Sequence, residues 1–270
     1  MPAHSSVLSL QLQKLAAKAQ QNQTIFENAY PDLGSAIVEQ EVLATPEPTA
    51  LPLENRMARQ ISQEEYTAVV DKLTALSKLP PGKMDIETAL YVEQQVSDLV
   101  GFQVATKLQN HELLHTQGSI LALPHLKRSP RDTASDHRYP QAPFSQKRST
   151  FGWIDHLKTT HGIAEDVEEY YIALPLHLIP TWSQESAALK EWYTFRKMLV
   201  LNPQEQLAVV CRVADSLSTN TAKYQFGGSP ELILAGRCWS ADTLGRVLVF
   251  FVVDDTNTIP VGPLSLTAKV

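Results

Sequence analysis

The stretch from Lys197 to Val253 limits the possible fold more than any other. It reads KMLVLNPQEQLAVVCRVADSLSTNTAKYQFGGSPELILAGRCWSADTLGRVLVFFVV, and three runs within it, Met198 to Leu201, Leu207 to Val213 and Val247 to Val253, are dense in Val, Leu and Phe. Runs too short for free-standing helices and loaded with β-branched and aromatic residues predict strands. The first two are joined by Asn-Pro-Gln-Glu-Gln, a turn-prone connection that lets them pair as a hairpin. One short helix precedes the third run. Ser229 caps it, Pro230 takes the first helical position, where a missing N–H costs nothing, and Gly236 supplies a left-handed end. The predicted order is strand, strand, loop, helix, strand.

That order, with Asp215 ending the second strand, resembles the double-psi β-barrel domains of the rare-lipoprotein-A, expansin and barwin superfamily. The residues that carry the resemblance are Val209, Cys211, Val213 and Asp215, then Gly227 to Glu231 as a small-residue turn into the helix, then Leu244-Gly245 and Val247 to Phe251. It covers the C-terminal part alone. It implies a C-terminal six-stranded double-psi β-barrel, and with the helical hairpin and arm read from the residues before it the expected fold is α+β, hairpin and arm packed on that barrel. It also implies a barrel that binds or cleaves a cell-wall-type glycan in the manner of a peptidoglycan lytic transglycosylase. Asp215 is then the acid and Glu231 a second one, with Tyr224, Phe226, Ser229 and Trp239 as the substrate-binding surface. The chain departs from the family where Asp215-Ser216-Leu217-Ser218 replaces Asp-x-Gly-Pro, and where the family's second acid falls on Gly227 or Gly228. Whether the barrel is an enzyme is therefore left open. Read without the family, Asp215 suits a turn-forming acceptor and Glu231 an acid complementing a helix N-terminus.

A chain of 270 residues with 43% hydrophobic content can bury a sizeable core. With 23 Lys and Arg against 29 Asp and Glu, it has no global electrostatic draw toward nucleic acid. The N-terminal sequence has no basic leader followed by a continuous apolar run, and no stretch reaches the length of a membrane span. The expectation is a cytoplasmic protein by default, or one delivered by another route. Cys211 and Cys238 are too few for a disulfide scaffold, and read either as buried thiols or as a pair meeting within the barrel.

Residues 1–55 read as an arm with a proline-containing linker. Val7, Leu8, Leu12, Leu15 and Ala19 follow helical spacing, and Pro46, Pro48 and Pro52 keep the following segment extended. The arm suits docking on another copy or an assembly partner, which gives a third reading, a non-catalytic structural protein. Residues 56–128 read as helical. Ser62-Gln63-Glu64-Glu65 is a capping box with Ile61 and Tyr66 as its staple, and Pro80-Pro81-Gly82 ends the helix. Asp85 then caps a second helix with an apolar face through Ile86, Leu90, Val100, Val104 and Leu108. Residues 129–151 form a long polar loop, in which Arg131, Arg138, Lys147 and Arg148, with Arg128 just before it, suit either solvent or an acidic polymer. The barrel-like domain occupies 152–270, with Tyr170 to Leu174 as its first strand and a helical insertion from Ser183 to Trp192.

One motif points to a different chemistry. His111-Glu112-Leu113-Leu114-His115 is an H-E-x-x-H, and on a helix its two His share one face. They can then hold zinc as the sole cofactor of a metallopeptidase, with Glu112 as the base acting on metal-bound water. Gly118 extends the match toward the metzincin form, whose third His would fall on Leu121. His125, Asp132, Asp136 and His137 are substitute ligands nearby.

Overall fold

A computed structural model of the chain describes residues 61–157, 164–218, 221–239 and 243–266. The arm and linker expected over 1–55 lie outside these residues. Helix α1 (Gln63–Ser77) begins where the capping box predicts, the Ser62 hydroxyl accepting from the Glu65 backbone N–H at 3.1 Å. Ile61 and Tyr66 pack in the same apolar cluster, as the staple requires. Helix α2 (Ile86–Val100) is capped by Asp85, which accepts from the Thr88 backbone N–H at 2.9 Å.

The expected course of α2 is corrected in two ways. The helix does not continue through Val104 and Leu108, because Gly101, at φ 80°, takes the left-handed conformation that glycine adopts at little cost and so ends it. Those residues fall instead in two short strands, β1 (Val104–Ala105) and β2 (Lys107–Leu108). The buried face is also different. Ala89, Val92, Val96 and Leu99 pack inward, while Ile86 and Leu90 are 81% and 63% exposed.

The remaining elements are β3 (His111–Glu112), β4 (Gln117–Ala122), α3 (Ala164–Glu169), β5 (Tyr171–Leu174), α4 (Trp182–Tyr193), β6 (Lys197–Asn202), β7 (Leu207–Ser216), β8 (Phe226–Gly228), α5 (Pro230–Ala235), β9 (Arg246–Val252) and β10 (Gly262–Ser265). Six strands close a ring. β6 pairs antiparallel with β7 and β9, and β9 with β4. β4 runs parallel to β8, β8 antiparallel to β5, and β5 parallel to β7, which completes the circuit. β1 and β10 add to the ring on β9 and β7. The predicted hairpin is β6 with β7, Met198 standing opposite Cys211, and the predicted closing strand is β9. The protein is thus α+β, with two N-terminal helices packed on a C-terminal six-stranded mixed β-barrel.

Alternate residues of the long strands enter two separate apolar clusters. Met198, Val200, Val209, Val213, Val249 and Phe251 meet Ile120, Ile172 and Phe226 in one. Leu199, Leu201, Val210, Leu248 and Phe250 meet Tyr66, Leu73, Val92 and Val96 of α1 and α2 in the other. A strand covered on both faces has no solvent side to mark with polar residues, which is why these runs are apolar without alternation.

Two further expectations are revised. Tyr170 to Leu174 is not the first barrel strand in the chain. β4 precedes it, from the stretch read as helical, and its sequence QGSILA carries a single β-branched residue, Ile120. At the end of α5, Gly236 keeps φ −83° and the left-handed position falls to Arg237 at φ 44°. Cys211 and Cys238 are both free and buried.

A buried ion pair marks one end of β6. Lys197 Nζ lies 2.5 Å from Asp254 Oδ2, with the two side chains 6% and 3% exposed, and Asp254 also accepts from the backbone N–H groups of Thr258 and Ile259. Asp254→Asn leaves the ammonium buried without its counter-charge and is expected to lower stability by about 3–5 kcal/mol. Urea unfolding measures it. A loss below about 1 kcal/mol would mean that the pair holds nothing in place.

Candidate functional site

The H-E-x-x-H letters do not lie on a helix. Gln109 and Asn110 have φ 47° and 68°, the pair of left-handed residues that turns a tight hairpin, so β2 folds back on β3 and the helical face shared by His111 and His115 never forms. The His111 ring lies against Trp192 with centroids 3.9 Å apart, and burial, then the charge of Arg196, lowers its pKa. Glu112 pairs with Lys83 at 2.5 Å on the surface. His115 faces a small apolar pocket with Leu174, Tyr193 and Phe226, where burial, then Lys83, lowers its pKa.

The residues expected along the barrel groove separate in a similar way. Asp215, at the end of β7, accepts through Oδ1 from the backbone N–H groups of Thr150 at 2.8 Å and Ser216 at 2.9 Å. It ties the end of the long loop to the barrel. Phe226 and Ser229 are 1% and 0% exposed. The Ser229 hydroxyl donates to the Glu169 carbonyl and accepts from the Leu232 N–H, so it serves the start of α5. Tyr224 is 4% exposed and meets Trp239 edge-on at 6.4 Å. Trp239 is partly exposed, and its indole rests on Gly245, where a Cβ would stand 2.7 Å from the ring.

Glu231 has other company. It sits in the first turn of α5, 3% exposed, with Oε2 3.7 Å from His125 Nδ1 and neither carboxylate oxygen hydrogen-bonded. Burial pushes its pKa up to about 8, with His125 opposing and the Glu168 charge adding to the rise. His125, just beyond β4, places Nδ1 3.0 Å from Glu168 Oε1 and Nε2 3.1 Å from the Tyr139 carbonyl oxygen. His137 places Nδ1 2.8 Å from Glu168 Oε2 and Nε2 3.2 Å from Asp132 Oδ2. The two rings lie 4.6 Å apart.

Carboxylates beside these rings fix their electrostatics. Burial alone would lower the pKa of His137, but Glu168 and Asp132 raise it. Burial would likewise raise Glu168, and the bonds from His125 and His137 hold it low instead. Asp132 is held low against its own burial by Arg128, which donates to it from the backbone at 2.6 Å and from the guanidinium at 3.2 and 3.3 Å. The long loop is therefore anchored from inside. His125 exchanges backbone bonds with Pro143 and Ser145, and at the surface Arg138 pairs with Glu169 at 2.7 Å.

Sequence reasoning reached His125, Asp132 and His137 together as substitute metal ligands and Glu231 as a second acid, and it missed Glu168. The 168–169 acidic pair looks like any solvated helix end, and no local spacing ties it to a His 31 residues earlier. The chain matches no protein-family model, no curated protein and no solved structure.

The placement of Asp215 carries a prediction. Asp215→Asn keeps the accepting oxygen and is expected to change stability by less than about 1 kcal/mol, whereas Asp215→Ala leaves two backbone donors unserved and costs about 1–3 kcal/mol. Thermal unfolding of the two variants compares them. Equal losses would show that the carboxylate acts through its charge and not as an acceptor.

Proposed function

We propose that the chain is a barrel module of the double-psi type that binds a cell-wall-type glycan without cleaving it. The observation that carries the reading is Asp215. At the position where the resemblance requires a free acid, the carboxylate is occupied by the backbone N–H groups of Thr150 and Ser216. A general acid must present its carboxyl group to a glycosidic oxygen, whereas Oδ1 of Asp215 is turned to two backbone donors of the chain itself. The strand, strand, loop, helix, strand order and the two parallel pairings within a closed ring support the double-psi class. Trp239 supports the binding part. It is the partly exposed aromatic among the expected surface residues, and one face of an indole is a platform for a sugar ring.

Sedimentation with insoluble purified peptidoglycan tests both halves. The full chain is expected to co-sediment, and Trp239→Ala to weaken binding about 2- to 10-fold. Product analysis is expected to give no anhydromuropeptides from wild type. Their release by wild type and loss in Asp215→Asn would replace binding with catalysis, and an unbound chain would end the glycan reading altogether.

A further inference from the structure

We propose that His125, His137, Glu168 and Glu231 form a site for one first-row divalent cation of the zinc class, which fastens the segment 123–144 to the barrel. The site is independent of the glycan reading. It rests on three observations that point to the same place.

The ligand atoms converge. One atom each from His125, His137 and Glu168 lie within 4.8 Å of one another, and all three side chains are buried. A tetrahedral ion with ligand bonds of about 2.0–2.2 Å spaces its ligands about 3.4 Å apart. The present Nδ1 to carboxylate distances of 3.0 and 2.8 Å come close to that edge.

The far side of each ring is prepared as metal-bound His rings usually are. A ligating imidazole donates its other N–H to a carbonyl or carboxylate, which fixes the tautomer and aims the lone pair. His125 Nε2 faces the Tyr139 carbonyl and His137 Nε2 faces Asp132, which Arg128 holds in turn. A neutral ring that uses its N–H on that side turns a bare Nδ1 lone pair toward the Glu168 carboxylate, where like meets like. Each ring thus has an oxygen acceptor facing both of its nitrogens, and a cation between Nδ1 and the carboxylate would complete that arrangement.

Glu231 supplies the third observation. Both of its oxygens are buried without a hydrogen bond, and Oε2 lies 3.7 Å from the His125 nitrogen that faces the same centre. An unsatisfied buried carboxylate is costly unless something ligates it. Two His and two carboxylates are a borderline donor set suited to zinc, with four protein ligands making a closed, structural site. The four come from the loop after β4, the long loop, α3 and α5, so one ion joins four segments that lie apart in the sequence.

The test uses the purified full chain. Elemental analysis, then zinc titration after dialysis against a chelator, is expected to give one equivalent and a rise in Tm on reloading. Cobalt(II) is expected to give the intense visible bands of a four-coordinate site in wild type. Glu168→Gln is expected to lose the equivalent, Asp132→Asn to weaken it about 10- to 100-fold by disturbing His137, and the His111→Ala/His115→Ala variant to keep it. Wild type that takes up neither zinc nor cobalt overturns the proposal, as does an equivalent unchanged in Glu168→Gln. If Glu168→Gln does not fold, the wild-type cobalt spectrum and Asp132→Asn decide. Weak six-coordinate bands, or an unaltered affinity in Asp132→Asn, count against the site.

Discussion

Strand β6 is buried on both faces along its length and flanked by β7 and β9, and the layers of the protein follow from that double burial. Its inward residues Met198 and Val200 fill the barrel, so the ring must close to shield them. Its outward residues Leu199 and Leu201 need a second cover, which α1 and α2 supply. Burying one such side chain contributes about 1.5–3 kcal/mol, so a barrel lacking its helices would present a row of exposed Leu and Phe at a cost no surface polarity offsets. Closure also solves the edge problem, because a mixed ring leaves no long unpaired strand among β4 to β9.

The same physics explains which parts of the fold can be read from the chain. β6, β7 and β9 are legible because double burial demands unbroken apolar runs. β4 and β8 are not, since QGSILA and FGG gain their strand form from partners already in place. β8 has its neighbours on both sides, β4 and β5, within three residues. The helices show how size misleads. Ile86 and Leu90 are large and apolar yet exposed, and the packed stripe runs through Ala89, Val92 and Val96.

Site residues follow a different rule. The H-E-x-x-H pattern is local, and a local pattern holds only if the local structure does. Gln109 and Asn110, adjacent left-handed residues, convert it into a hairpin whose two His have different neighbours. The His125, His137, Glu168 and Glu231 group is the reverse case. No spacing announces it, because its members are assembled by the barrel, with His125 just beyond the end of β4 and Glu231 on the helix after β8, the strand that runs parallel to β4. What was legible was each residue's chemistry. Their meeting is a tertiary fact.

A polar loop held in this way differs from one held by apolar contacts. Residues 129–150 offer little to a hydrophobic core, and among their buried side chains Asp132, His137 and Ser149 outnumber Ala142. Apolar anchoring is forgiving, since a neighbour of similar volume restores most of it, whereas ionised groups inside a protein require a partner at a fixed distance. The loop is therefore positioned by direction and charge. Arg128 orients Asp132, Asp132 orients His137, and His137 and His125 together orient Glu168, so each group has its geometry set by the next. In such a chain the remaining unmatched group is the informative one. Glu231, buried with neither oxygen hydrogen-bonded, is that group.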